Sequence, residues 1–309
     1  MINLFILSSN IFVMKSRLIK IIVFLLILFT LDRSVSFVIK NGLEKYYGVG
    51  EDAEILLIGH SHMMKSCNKD TMEKELGMKV AKYCREGVMV QDRYAMVMHF
   101  LSEQSTGSVP YVLYGVDPQM FSEGDLSLNS YKLFYPFMDT PIMDELVRQE
   151  ATEWHDYPIH KYIHSTRFTD NMIYRSVRGW LGYWKSFQDG IIDEKTWSAP
   201  RNWKVHMPKD KVALFRKTLD ALLERGCHVI LVHPPVIESF EKSNPEAYQE
   251  MMAYYRELAD KDTRIDFLDY GPMFSHRREL FEDPVHVNRL GEKLMTEALI
   301  KDLRKIIQH

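Results

Sequence analysis

Cysteine is scarce in this chain. Three occur in 309 residues, Cys67, Cys84 and Cys227. There is no CxxC pair and no Cys/His cluster at zinc-ligand spacing, which argues against a structural zinc site. A bridge between Cys67 and Cys84 is open to an oxidising compartment, and three buried thiols are the plainer alternative. An excess of one charge is also missing: 39 Lys and Arg stand against 42 Asp and Glu, a formal net charge of −3. Without a basic field, nucleic acid is not an expected partner. Internal repeats, low-complexity tracts and Gly/Ser linkers are absent too, so nothing marks a repeat array or a tethered set of modules. The remaining mixture, 46% hydrophobic and 26% charged, is that of a folded globular protein with a sizeable core.

The longest apolar run lies near the start. Lys15, Arg17 and Lys20 precede IIVFLLILFTL, residues 21–31, which stops at Asp32 and Arg33. Positive charge before a short apolar segment is the pattern of a signal anchor with its amino end in the cytoplasm, so the bulk of the chain is expected outside it, periplasmic or extracellular. Even counted from Leu18 the run is shorter than the roughly 20 residues that span a bilayer, a deficit that snorkelling of Lys20 and local thinning relieve. Ser34-Val-Ser36 offers only a weak cleavage site, so residues 1–40 are expected to stay as a transmembrane anchor before a domain at 41–309. A removed signal peptide and a buried amphipathic helix are the alternatives. Met14, followed by Lys-Ser-Arg, also reads as a start.

From residue 53 onward short apolar runs alternate with amphipathic stretches, the pattern of a parallel sheet covered by helices. Strands are expected at 54–59, 79–84, 111–116, 228–233 and 265–270. Helices are expected at 69–76, 89–104, 209–225 and 245–260, with a last one from Arg289 to Ile307. Pro208 and Gly226 punctuate the third of these helices. Five strands with helices between them predict a three-layer α/β domain of the flavodoxin-like kind. Residues 118–207 interrupt the rhythm and are dense in aromatics: FYPF, EWHDY, NMIYRSVRGWLGYW and TWSAPRNW. Such a length without structure would be unusual, so a helical insertion over the sheet edge is expected. Its tryptophans could form a lid over a sugar or acyl chain, or build a core of their own.

The chemistry starts at ILLIGHSHM, residues 55–63. In an open α/β sheet ligands bind beyond the carboxyl ends of the strands, which is where Ser61 falls. A serine hydroxyl attacks only if a base takes its proton and donors receive the oxyanion. FEDPVHVNRLGE, after the last expected strand, holds Asp283 three residues before His286. That spacing lets the carboxylate accept from Nδ1 and leaves Nε2 as the base, although His286 could also cap the final helix. His60, His62, Asp117, His233 and His286 could instead compose a metal site, since imidazole and carboxylate suit zinc or manganese; the expectation is no metal and no cofactor, because no HExxH helix spacing is present and the HxH at 60–62 brackets the serine without an obvious water-activating geometry.

ILLIGHSHM, Gly87 after the second strand, YGVDP after the third and DPVHVNRLGE before the last helix resemble, in order and spacing, the SGNH (GDSL-like) hydrolase superfamily. The resemblance covers roughly residues 53–117 and 208–307, and neither the anchor nor the insertion. It implies Ser61 as nucleophile, Asp283 and His286 as its partners, and the backbone N–H groups of Ser61 and Gly87 as the oxyanion hole. HPP at 233–235 is similar to a loop that borders the family's pocket, which with His62 and Asp117 makes His233 a pocket residue. Two positions depart from the pattern. The residue before the serine is usually Asp and here is His60, in a position that supports the loop. The third motif usually carries Gly-x-Asn, whose amide donates to the oxyanion, and here Asp117 stands in its place. An ionised carboxylate has no donor, so Asp117 must turn away while another group, such as Asn68 or a backbone N–H, completes the hole, or else activity is weak.

The resemblance implies a membrane-anchored serine esterase or O-acyltransferase acting on acyl esters, with a cell-envelope polysaccharide as substrate and a membrane-bound O-acyltransferase as partner. A catalytically weak subunit that binds an envelope polymer through the aromatic insertion is the alternative, with Asp117 in its favour.

Overall fold

The computed structural model describes residues 2–104, 109–118, 120–121, 129–184, 189–202 and 205–307, with side chains from residue 14 onward. Trp203, counted among the insertion's aromatics, lies outside the described residues. An N-terminal helix, α1 (Ile2–Tyr47), leads into β1 (Ile55–Gly59), α2 (Ser61–Ser66), α3 (Lys69–Leu76), β2 (Val80–Cys84), α4 (Val90–Ser102) and β3 (Tyr111–Gly115). The insertion holds α5 (Pro141–Glu150), α6 (Asp156–Tyr162), α7 (Asp170–Leu181) and α8 (Glu194–Ser198), with 3-10 turns at Ser130–Phe137 and His164–Arg167. The sheet is completed through α9 (Lys209–Glu224), β4 (His228–His233), α10 (Glu238–Glu241), α11 (Pro245–Lys261) and β5 (Ile265–Asp269). Two short pieces, α12 (Gly271–Phe274) and a 3-10 turn at Arg278–Leu280, precede the last helix, α13 (Arg289–Ile307).

The five strands are all parallel, in the order β2-β1-β3-β4-β5. Each expected strand is present to within a residue at either end, which makes this the three-layer, flavodoxin-like α/β fold read from the sequence. Alternation along the strands separates two core layers. Leu56, Ile58, Tyr83 and Tyr114 pack with Phe100 of α4, Phe215 of α9 and Tyr255 of α11. Ile55, Leu57, Leu113 and Ile230 pack with Met72 of α3 and with Met295 and Leu299 of α13. Because helices cover both faces, the strands read as apolar runs without polar alternation. The chain reverses its direction of travel between β1 and β3, opening a crevice at their carboxyl ends.

Of the two readings left open for the cysteines, the plainer one, three buried thiols, holds. Cys67, Cys84 and Cys227 are all free and buried, and Cys84 Sγ points at the carbonyl of Leu57 across the strand pair. No bridge joins Cys67 to Cys84. The boundary at residue 40 is crossed by one continuous helix, whose last turns bury Leu43 and Tyr47 in the domain core. Above that, Met14–Tyr47 forms one helix long and apolar enough to cross a membrane.

The insertion is helical, but two of its tryptophans serve α1 and form no lid. Trp180 Nε1 donates to the carbonyl of Val38 and Trp184 Nε1 to that of Tyr46. α7 lies directly on α1, because a Cβ on Gly179 would stand 1.9 Å from the Gly42 carbonyl oxygen. Glycine at that crossing lets the two backbones touch.

Candidate active site

Ser61 is positioned by the end of β1 and the short helix that follows. A Cβ on either Gly59 or Gly115 would lie 2.9 Å from Met63 Cβ. The two strand-end glycines therefore let α2 settle across the crevice between β1 and β3. His60 is the N-cap, its Nδ1 accepting the N–H of His62 at 3.0 Å. As the first residue of the helix, Ser61 has no intrahelical acceptor for its own N–H.

The distal motif comes to the same place. A bridge between Phe281 and Val287 closes the loop that carries Asp283 and His286. Asp283 Oδ1 accepts the N–H groups of Val285 and His286, both at 2.9 Å. Its Oδ2 meets His286 Nδ1 at 2.7 Å, and His286 Nε2 lies 2.8 Å from Ser61 Oγ, 225 positions away in sequence. Burial alone would raise the Asp283 carboxyl, but the hydrogen bond from His286 and the loop N–H groups hold it below the ordinary range. An ionised carboxylate can only accept, so Nδ1 carries the proton and Nε2 accepts from the serine hydroxyl. Asn288 steadies the loop: its Oδ1 accepts the N–H groups of Leu290 and Gly291 at the start of α13, and its Nδ2 donates to the carbonyls of Gly190 and Glu279. Gly87, on the loop between β2 and α4, has φ +71°, a conformation that a side chain would strain.

The two departures from the motif prove to be one contact. His60 Nε2 donates to Asp117 Oδ2 at 2.7 Å, and the same oxygen accepts from Arg93 Nη2 at 3.2 Å. Arg93 Nη1 also donates to the Gly115 carbonyl at 2.7 Å. Burial opposes charge on Asp117, yet His60 and Arg93 hold its pKa far below the usual carboxylate range. Burial keeps the pKa of His60 low, so it donates as a neutral ring. Asp117 thus braces the Ser61 loop from below and does not line a pocket.

His62 is buried against the rings of His60 and His286, at centroid distances of 4.0 and 5.5 Å. Burial pushes its pKa well below the ordinary value. His233, expected at the pocket, is fully buried and bonded to Asp269 at 2.8 Å, so it ties β4 to β5. Asn68 is not available to an oxyanion either. Its Oδ1 caps α3 through the Thr71 N–H, its backbone N–H meets Thr296, and its amide bonds Glu292. The five residues considered for a metal do not converge. His60, His62 and Asp117 bring ligand-type atoms within 4.8 Å, while His286 belongs to a separate group with Glu282 and Asp283. In the first group both His60 nitrogens are already hydrogen-bonded.

Arg93 escaped the sequence analysis. The available signal was its place three residues after Val90 on the buried face of α4, where an unpaired arginine would be costly. Lys65 and Glu282, paired beside the site, were missed because nothing local links α2 to the distal loop.

A parallel α/β sheet with a Ser–His–Asp chain of hydrogen bonds at its switch point defines a class, that of α/β proteins carrying a hydrolase-type triad. Among solved structures the chain is similar to a candidate acylhydrolase from Bacteroides fragilis, with 9% identity over 82% of this chain and 86% of that one and a TM-score of 0.44. It is also similar to a GDSL-like lipase from Bacteroides thetaiotaomicron, with 11% identity over 83% and 89% and a TM-score of 0.39. The C-terminal catalytic domain of peptidoglycan O-acetyltransferase A from Streptococcus pneumoniae shows 14% identity over 82% and 93%, with a TM-score of 0.38. No family model and no curated protein matches the chain. The activity of this chain is therefore inferred from the geometry of its site.

Proposed function

We propose that this chain is a membrane-anchored serine esterase or O-acyltransferase whose domain works outside the cytoplasm on acyl esters of a cell-envelope polysaccharide. The observation that carries the chemistry is the continuous chain Ser61 Oγ, His286 Nε2, His286 Nδ1, Asp283 Oδ2 with contacts of 2.8 and 2.7 Å. His286 takes the serine proton as Oγ attacks the ester carbonyl, and the N–H groups of Ser61 and Gly87 receive the developing oxyanion. The proton then passes from Nε2 to the leaving alcohol, leaving an acyl-serine. Water, or a sugar hydroxyl deprotonated by the same nitrogen, takes the acyl group and restores the hydroxyl.

The polysaccharide and a membrane-bound acyltransferase partner rest on the motif resemblance and on the apolar helix. The compartment rests on the basic residues before that helix, and a reporter fused after residue 309 that is active only in the cytoplasm would overturn it. The chemistry is tested with p-nitrophenyl acetate and residues 41–309. Wild type is expected to hydrolyse it, and Ser61→Ala and His286→Ala are each expected to lose about 1,000-fold or more in kcat. Equal rates in all three proteins would refute the nucleophile. They would favour the polymer-binding subunit, for which the observation is that the position of the usual oxyanion-donating Asn holds an ionised, buried Asp117.

A further inference from the structure

We propose that the carboxyl edge of the sheet, with Ser61 and His286, faces the bilayer in which α1 is anchored, and that its substrates are acyl esters on lipid-linked molecules held at that surface. This rests on the reading of α1 as an anchor and of Ser61 as nucleophile. The first observation is the direction of α1. Asp32 ends the uninterrupted apolar run of residues 21–31, and from there to Tyr47 the helix climbs about 22 Å, with Val35, Phe37 and Val38 still exposed on its first turns. Its last turn meets β2 in the opposite sense. Tyr47 packs on the Tyr83 ring at 5.3 Å and under the Arg85 guanidinium at 5.1 Å, while the next residue, Gly48, lies against Ala81, 2.8 Å from a Cβ placed there. Moving away from the membrane, the chain passes β2 from its carboxyl end toward its amino end. It then runs along a cleft of about 770 Å³ that Gly50 and Ala53 share with Gly77 and Val80, at the amino edge of the sheet. β2 therefore descends toward the bilayer, and β1 descends with it, because Gly59 is paired in parallel with Cys84. Four residues of strand take the site about 13 Å back down. Ser61 thus stands on the order of 10 Å above the turn at Asp32.

The second observation is the underside of the domain. Asp32 accepts the N–H groups of His164 at 3.0 Å and Ser165 at 2.7 Å, and Arg33 donates to the Tyr162 carbonyl at 3.1 Å. These bonds fix the turn at His164–Arg167 at the level where the apolar run ends. There Ile159, Tyr162 and Ile163 are 39%, 72% and 49% exposed. Aliphatic and tyrosine side chains beside an anchor, continuous with its apolar surface, fit the headgroup boundary of a bilayer. Arg175, on the lower half of α7, bonds both Tyr47 and Glu86, which ties the loop before Gly87 to this anchored helix pair. A gap of this height admits a lipid headgroup with its attached sugar or acyl group.

The test uses the full chain in phosphatidylethanolamine/phosphatidylglycerol vesicles that carry an energy acceptor on a headgroup. A donor is placed on Leu290→Cys, at the catalytic edge, or on Lys301→Cys, further along the same helix. Both positions are exposed and the native thiols are buried. The two lie about 16 Å apart along α13, so transfer is expected to be at least about twofold greater from position 290. Equal transfer, or more from position 301, would overturn the proposal. Hydrolysis of p-nitrophenyl acetate is followed in the same vesicles. A steep gradient without hydrolysis would count against the proposed chemistry alone, and a flat gradient with hydrolysis would count against the membrane-facing site alone.

Discussion

At Asp117 a single buried oxygen receives both His60 and Arg93, so the carboxylate ties the serine loop, through the neutral His60 ring, to the buried charge of Arg93. Asp117→Asn, which restores the residue usual in the motif, is therefore expected to destabilise the protein. Removing one partner of a buried pair leaves Arg93 uncompensated, at a cost of about 3–5 kcal/mol. Adding His60→Asp returns an acceptor beside Arg93 and is expected to recover at least half of the loss in urea unfolding. Because the folded pKa of Asp117 is lowered, its contribution is complete above the ordinary carboxylate pKa of about 3.9 and fades as pH falls further. The wild-type advantage over Asp117→Asn should therefore be flat above about pH 5 and shrink in acid. Asp92 behaves in the opposite way. Burial pushes its carboxyl up to about 6, although the Met89 N–H and the Ser130 hydroxyl moderate the rise. Its contribution is complete below the unfolded pKa and is lost as pH rises through about 6. Asp92→Asn should remove a fall in stability on the order of 3 kcal/mol between pH 4 and 6, read from unfolding curves across that range.

At the scale of elements, the placement of α2 and α13 decides the reach from Ser61 to His286. Gly115→Ala puts a methyl against Met63 Cβ, and α2 must move. The expected result is a loss of about 1–3 kcal/mol in stability with at least a tenfold fall in kcat, since a shift of about 1 Å in a reacting group costs that much or more. Asn288→Ala removes the cap of α13 together with two contacts to carbonyls. About 1–2 kcal/mol should be lost. Activity should fall with little change in KM, because the loop that carries Asp283 and His286 hangs from that cap.

For the molecule as a whole, α1 has an exposed apolar stretch and a buried end. Its upper end is part of the domain, with Leu43 and Tyr47 buried among core residues and Trp180 and Trp184 bonded to its carbonyls. A protein that starts at residue 48 should therefore melt well below one that starts at residue 41. Burial of one leucine and one tyrosine is worth about 3–5 kcal/mol. Equal melting temperatures would show that these turns do not stabilise the domain.

The sequence by itself determined the sheet, its five parallel strands and the flanking helices, because each strand in a doubly covered sheet is a local apolar run and each amphipathic helix carries its own period. It also picked out Ser61, Asp283 and His286 as a candidate triad, since a strand end and a turn are local features. What it could not show was long-range pairing. His60 and Asp117 read as two separate departures and became one contact only when β1 and β3 lay side by side with Arg93 beneath them. Asn68 looked available until α3 took its Oδ1, and His233 until burial and the bond from Nδ1 to Asp269 fixed it between β4 and β5. The sense of α1 relative to β2 was likewise set only by their packing, because a helix and a strand distant in sequence acquire a relative sense only when their side chains interlock.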